Sequence, residues 1–140
     1  MRLDYTLTAV RRPVSTLGFP VRAALALLAS LVGNAVLLAI AQSLSVAPDF
    51  DPLAYPPVLF LTTVGTLGAA VVYWLLTRFV ERPEVTFTRV VVAVLVLSFV
   101  PDFALLVYDP TATILGVVVL MLMHAVVAVA CVALFPANRV

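Results

Sequence analysis

Between Ile114 and Phe135 the chain runs for 22 residues with only Gly116 and His124 outside the apolar set. A helix of that length spans about 33 Å, and the hydrocarbon core of a bilayer is about 30 Å thick. In lipid such a run forms a helix, because a backbone without water must pair its N–H and C=O groups internally. His124 falls at its middle, where an ionisable side chain has no water and needs a partner.

The rest of the chain follows the same rule. It is 64% hydrophobic and 11% charged, with a mean hydropathy of +1.22. A soluble domain carries roughly twice that charge, about 25%. Four apolar runs take up most of the length, at about 21–43, 56–79, 89–107 and 113–135. Residues 1–140 therefore read as a single membrane domain, with no room for a separate soluble one. The expected fold is an all-α integral membrane four-helix bundle. The lipid bilayer is its expected partner, and no nucleic acid is.

Before the first run, Arg11-Arg12 resembles a twin-arginine export signal, and Ala39-Ile40-Ala41 resembles a cleavage site. The apolar stretch between them is about 20 residues, however, against about 7–15 for a signal core. We read it as an uncleaved anchor. Within it Ala26, Ser30, Gly33 and Asn34 share one face. Such small residues let helices approach closely in lipid, and a buried Asn commonly bonds a neighbouring helix. Asn34 alternatively lines a polar site. The second run opens with Pro56-Pro57, which suits a helix start. Its face of Thr62, Gly65, Thr66, Gly68 and Ala69 is again small, so Ser30, Gly33, Gly65 and Gly68 are the helix-packing candidates. Tyr73 and Trp74 fit an interfacial aromatic belt.

Residues 80–88 read as a charged loop, with the third span opening at Arg89. That span meets Pro101-Asp102, and proline frees the carbonyl four residues back, that of Leu97. The stretch Leu97-Ser98-Phe99-Val100-Pro101-Asp102-Phe103 matches Leu44-Ser45-Val46-Ala47-Pro48-Asp49-Phe50 at five of seven positions. Either this is a repeat of two parallel hairpins, or both copies are ordinary helix exits. As a repeat, span three stops near Val100 and Asp102 sits at the outer mouth. We read the span as continuing to Val107, because the eleven residues after Arg89, up to Val100, are too few to cross. Asp102 then lies inside the membrane on the Ser98 face.

All eight basic residues are arginines, and with four spans they fall on one side: Arg2, Arg11, Arg12, Arg22, Arg78, Arg82, Arg89 and Arg139. Asp49, Asp51 and Asp109 fall on the other. The arginine-rich side is expected to be cytoplasmic. Both termini are then cytoplasmic, in a multi-pass protein of a prokaryotic plasma membrane.

Asn34, Thr66, Ser98 and His124 lie at similar depth, with Asp102 about one turn outward, and together they form the candidate intramembrane polar site. One reading joins Asp102 to His124 as a pair that relays protons or binds a cation. The other gives His124 one interhelical bond, worth about 0.6 kcal/mol, in a layer that sets helix register. No phosphate loop, HExxH or GxSxG occurs. One His cannot ligate haem twice, and Met121 and Met123 read as packing or lipid-facing residues. Cys131, the lone cysteine, is two turns from His124 and reads as packing. No metal, no cofactor and no catalytic residues are expected.

The segment Leu122-Met123-His124-Ala125-Val126-Val127, with the four-span layout, resembles an uncharacterised family of small four-span prokaryotic membrane proteins, of the domain-of-unknown-function kind. The resemblance implies the layout and no activity. The expected function is a non-enzymatic structural or accessory protein, a homo-oligomer or a subunit of a membrane complex, assembled through small-residue faces. The alternative is a small oligomeric transporter or proton-coupled carrier using Asp102 and His124.

Overall fold

The computed structural model describes residues 17–137. Arg2, Arg11, Arg12, Arg139 and both termini lie outside the described residues. Four helices account for most of what is described: α1 (Phe19–Ser43), α2 (Tyr55–Phe79), α3 (Pro83–Tyr108) and α4 (Ile114–Leu134). A single 3-10 turn, Asp51–Leu53, lies between α1 and α2. No strand occurs among the described residues. All four helices are long and apolar enough to cross a membrane.

Helix starts follow from proline. In α1, α2 and α3 a proline occupies the first or second position and no side chain caps the N-terminus. The N–H that proline lacks is one the first turn leaves unpaired anyway. α4 has no such proline. There the Thr113 hydroxyl accepts from the Gly116 N–H at 3.0 Å, the usual role of threonine at this position.

The start of α3 corrects the sequence reading. Residues 83–88 are helical, so the helix opens six residues before Arg89. Pro83 presets the first turn, and Glu84 in that turn favours the positive end of the helix dipole. α3 then runs without a break past Pro101 to Tyr108. The two similar heptapeptides therefore sit in different settings. Leu97–Phe103 is mid-helix, whereas Leu44–Phe50 forms the exit of α1 and the loop beyond.

The exit of α1 is tightly built. The Val46 N–H bonds the Ala41 carbonyl at 2.9 Å, and the Ser45 N–H bonds that of Gln42 at 3.0 Å. This pairing requires the first residue past the cap to be left-handed, a place usually held by glycine. Ser45 holds it here with φ 52°, and Ala47 is also left-handed at φ 47°. The loop folds back over the start of α4. A Cβ on Gly116 would lie 3.0 Å from the Ala47 Cβ and 3.2 Å from Phe50 Cδ1.

Packing places α1 against both α2 and α4, and α4 against α3. Among helices consecutive in sequence, α2 and α3 touch least. The buried residues of α1 fall every fourth place, at Arg22, Ala26, Ser30, Asn34 and Leu38. Those of α2 do the same at Val58, Thr62, Thr66 and Ala70. These are the single-face spacings of a helix. Both stripes are polar in the middle and, Arg22 apart, apolar towards the ends. One apolar cluster holds Leu38, Ala47, Phe50, Leu53, Val58, Leu120 and Met123. At the opposite end Ala26, Ala70, Tyr73, Phe87, Cys131 and Phe135 form the second. Tyr73 therefore faces inward rather than joining Trp74 in an outer belt. Its ring lies 5.0 Å from that of Phe87, edge-on, and 5.5 Å from that of Phe19, tilted, distances at which aromatic pairs attract.

Because serine gains nothing from a left-handed backbone, Ser45→Gly is expected to raise stability by about 0.5–1 kcal/mol. Chemical unfolding in mixed micelles, followed by circular dichroism, checks this.

Candidate functional site

α2 and α3 leave a cavity of about 720 Å³ between them. The α2 wall is low because Gly65, Gly68 and Ala69 line it. A Cβ added at Gly65 or at Gly68 would meet nothing within 4 Å. The α3 wall is mostly valine and leucine, and α4 supplies the floor with Leu120, Met123, His124 and Val127. Leu61, Val64 and Val94 line the cavity yet are exposed, so it opens to the side of the bundle.

The polar residues expected to gather at mid-membrane divide into two groups. Asp102 and His124 meet across α3 and α4, with Asp102 Oδ2 at 3.2 Å from His124 Nδ1. Asn34 and Thr62 meet across α1 and α2, with Asn34 Nδ2 donating to Thr62 Oγ1 at 2.8 Å. Thr66 and Ser98 turn to their own helices. The Thr66 hydroxyl donates to the Thr62 carbonyl at 2.8 Å, and that of Ser98 to the Leu95 carbonyl at 2.7 Å. Asn34, Ser98, Asp102 and His124 all line the cavity, whereas Thr66 does not.

His124 Nδ1 has two acceptors in reach, the Leu120 carbonyl at 2.9 Å and Asp102 Oδ2 at 3.2 Å. The carbonyl can only accept, so Nδ1 must carry the ring proton. One N–H cannot fully serve two acceptors. The carbonyl takes it, and Asp102 Oδ2 is left buried without a hydrogen bond. Asp102 is only 5% exposed, while the His124 side chain is 43% exposed. A buried acid beside a half-open imidazole can exchange a proton or hold a small cationic or donor group.

The helix-packing candidates also separate. Ser30 is fully buried on α1, and its hydroxyl has no partner. A Cβ on Gly33 would come within 2.8 Å of Val126 Cγ1, so Gly33 is where α1 and α4 close on each other. Gly65 and Gly68 face the open cavity instead. Among the described residues no group of three or more His, Cys, Asp or Glu side chains could hold a metal.

Arg22 is the residue that sequence reasoning missed. Counted there only among the arginines of one side, it is 6% exposed and lies against the aromatic cluster. Its Nη1 donates to the carbonyl of Phe135, the residue that caps the C-terminus of α4. The last carbonyls of a helix lack partners within it, and a cation there also meets the negative end of the dipole. The Phe19 ring lies 5.8 Å from the guanidinium carbon. The available signal was position: Arg22 is inside the first turn of α1, opposite the point where α4 ends. Arg22→Leu is expected to cost about 1–3 kcal/mol by stripping a buried carbonyl of its donor, with Arg22→Lys recovering part. Unfolding midpoints of the two variants in mixed micelles check this.

Comparison with curated proteins and with solved structures finds no match. The four apolar helices fit a small four-span protein. Residues 6–139, nearly the whole sequence, match one family model, and the chain belongs to the family of unknown function DUF6069.

Proposed function

We propose that the chain is a non-enzymatic accessory protein of a prokaryotic plasma membrane, crossing four times with both termini cytoplasmic. It acts as a homo-oligomer or as a subunit of a larger membrane complex. The observation that carries this reading is the contrast among its glycines. In lipid, where apolar surface alone drives no association, small residues permit the close approach that holds helices together. Gly33 spends that property inside the chain, against Val126. Gly65 and Gly68 have open space before them, so the α2 edge of the cavity is free to receive another helix. The orientation rests on Arg78, Arg82 and Arg89 at one end of the bundle, with Asp49, Asp51 and Asp109 at the other.

Replacing Gly65 and Gly68 together with Leu is expected to lower the oligomeric mass on native gels while leaving membrane insertion and helix content intact. Unchanged assembly in that double variant refutes the reading. Gly33→Leu is the contrasting control, since it disrupts the chain's own packing.

The 3.2 Å contact between Asp102 and His124 favours a second reading, a small oligomeric transporter or proton-coupled carrier. On that reading, wild-type protein in proteoliposomes carries a pH-dependent cation flux that His124→Leu abolishes. A flux of equal size in the variant, or none in the wild type, removes it.

A further inference from the structure

The cavity between α2 and α3 has the size of a small-molecule site. Its 720 Å³ falls within the usual range of about 300–1,000 Å³. Most of its wall is hydrocarbon, and its polar groups come from all four helices: Asn34, Thr62, Ser98 with Asp102, and His124.

Several of these groups are already committed. The Ser98 hydroxyl serves the Leu95 carbonyl, His124 Nδ1 serves that of Leu120, and Asn34 Nδ2 serves Thr62. Two acceptors are not. Asp102 Oδ2 and Asn34 Oδ1 are buried and receive no hydrogen bond. The residues that carry them are 5% and 2% exposed. A buried acceptor without a donor is costly, and more so when charged. What is lacking here is a donor, delivered into an otherwise apolar space.

We propose that this cavity binds a membrane-soluble amphiphile with an apolar body and a head bearing hydrogen-bond donors, such as a long-chain diol or amine. Asp102 and Asn34 accept from the head, and the valines of α3 and the low wall at Gly65 and Gly68 receive the body. The ligand enters sideways from the acyl layer past Leu61, Val64 and Val94. A second copy of this chain is a poorer occupant of the polar floor. The hydroxyls of Thr63, Thr77 and Thr88 on its outer surface are bonded to their own helix carbonyls, and the backbone N–H groups of a membrane helix are spent within it. The ligand's body and a partner helix use the same space before Gly65 and Gly68, so the two are alternative occupants: the His124 signal reads the ligand, and the native gel reads assembly.

The test uses the full chain in nanodiscs of phosphatidylcholine, a lipid whose headgroup has no hydrogen-bond donor. His124 is the only histidine, so isotope-labelled histidine gives one ring signal at the site. The probes are a vicinal dodecanediol and its dimethyl ether, equal in body and different only in donors. The diol is expected to shift the His124 signal saturably, at least about tenfold more tightly than the ether, the factor one unmet acceptor is worth. Asp102→Leu is expected to erase that preference. Val94→Trp, which fills the cavity from its exposed rim, is expected to abolish the shift. Equal shifts from diol and ether, or no saturable shift from either, overturn the proposal without recourse to any variant. Normal diol binding in a folded Val94→Trp overturns its location.

Discussion

The bundle depends on α1 lying between α2 and α4 at close range. Gly33 under Val126 brings α1 and α4 together, and the four-residue stripe from Arg22 to Leu38 supplies the surface that α2 and α4 share. With α1 as the common partner, α2 and α3 are held by their neighbours and touch each other little. The cavity is a result of that arrangement. It exists because α3 is fastened mainly to α4, and because α2 turns glycines towards it rather than bulk.

The order of layers along the bundle carries the energetics. Apolar clusters at the two ends enclose a polar middle of Ser30, Asn34, Thr62 and Thr66. Interhelical hydrogen bonds in such a layer are worth little each, about 0.6 kcal/mol. Their value lies in register, since sliding α1 by one turn would separate Asn34 from Thr62 and bury both unpaired. The end clusters are less particular. At the Tyr73 end the aromatic rings, tilted or edge-on with centroids 5.0 to 5.9 Å apart, tolerate small shifts that the polar middle does not.

Much of this was legible in the sequence, for physical reasons. Runs of twenty or more apolar residues have one cheap backbone solution in lipid, so four helices follow from counting. Passage of α3 through Pro101 follows from length only for a helix that opens at Arg89; opened at Pro83, a helix ending at Val100 already has about the minimum length to cross. That continuation is what lets Asp102 reach the neighbourhood of His124. The start of α3 was hidden because charge was weighed over helix-start chemistry: Arg82, Glu84 and Arg89 look like a loop, whereas Pro83 and Glu84 form a good first turn. Arg22 and Tyr73 were misplaced because a residue's depth does not say which way its face turns. The similarity between Leu44–Phe50 and Leu97–Phe103 does not extend to local structure, since the same residues end one helix and continue another. The cavity itself had no signature, because glycines that bring helices together and glycines that leave a gap look the same in sequence.

The bond from Arg22 to Phe135 joins residues 113 positions apart. It ties the beginning of the first helix to the end of the last, and the aromatic cluster around it draws on all four. During biosynthesis the segments emerge in order, so α1 and α2 can pair early while the central partner of α1 has yet to leave the ribosome. Loop closure over so long a separation comes late and slowly. Until then the polar stripe of α1 stands half uncovered. The last helix to be made is thus the one that covers this stripe and completes the fold.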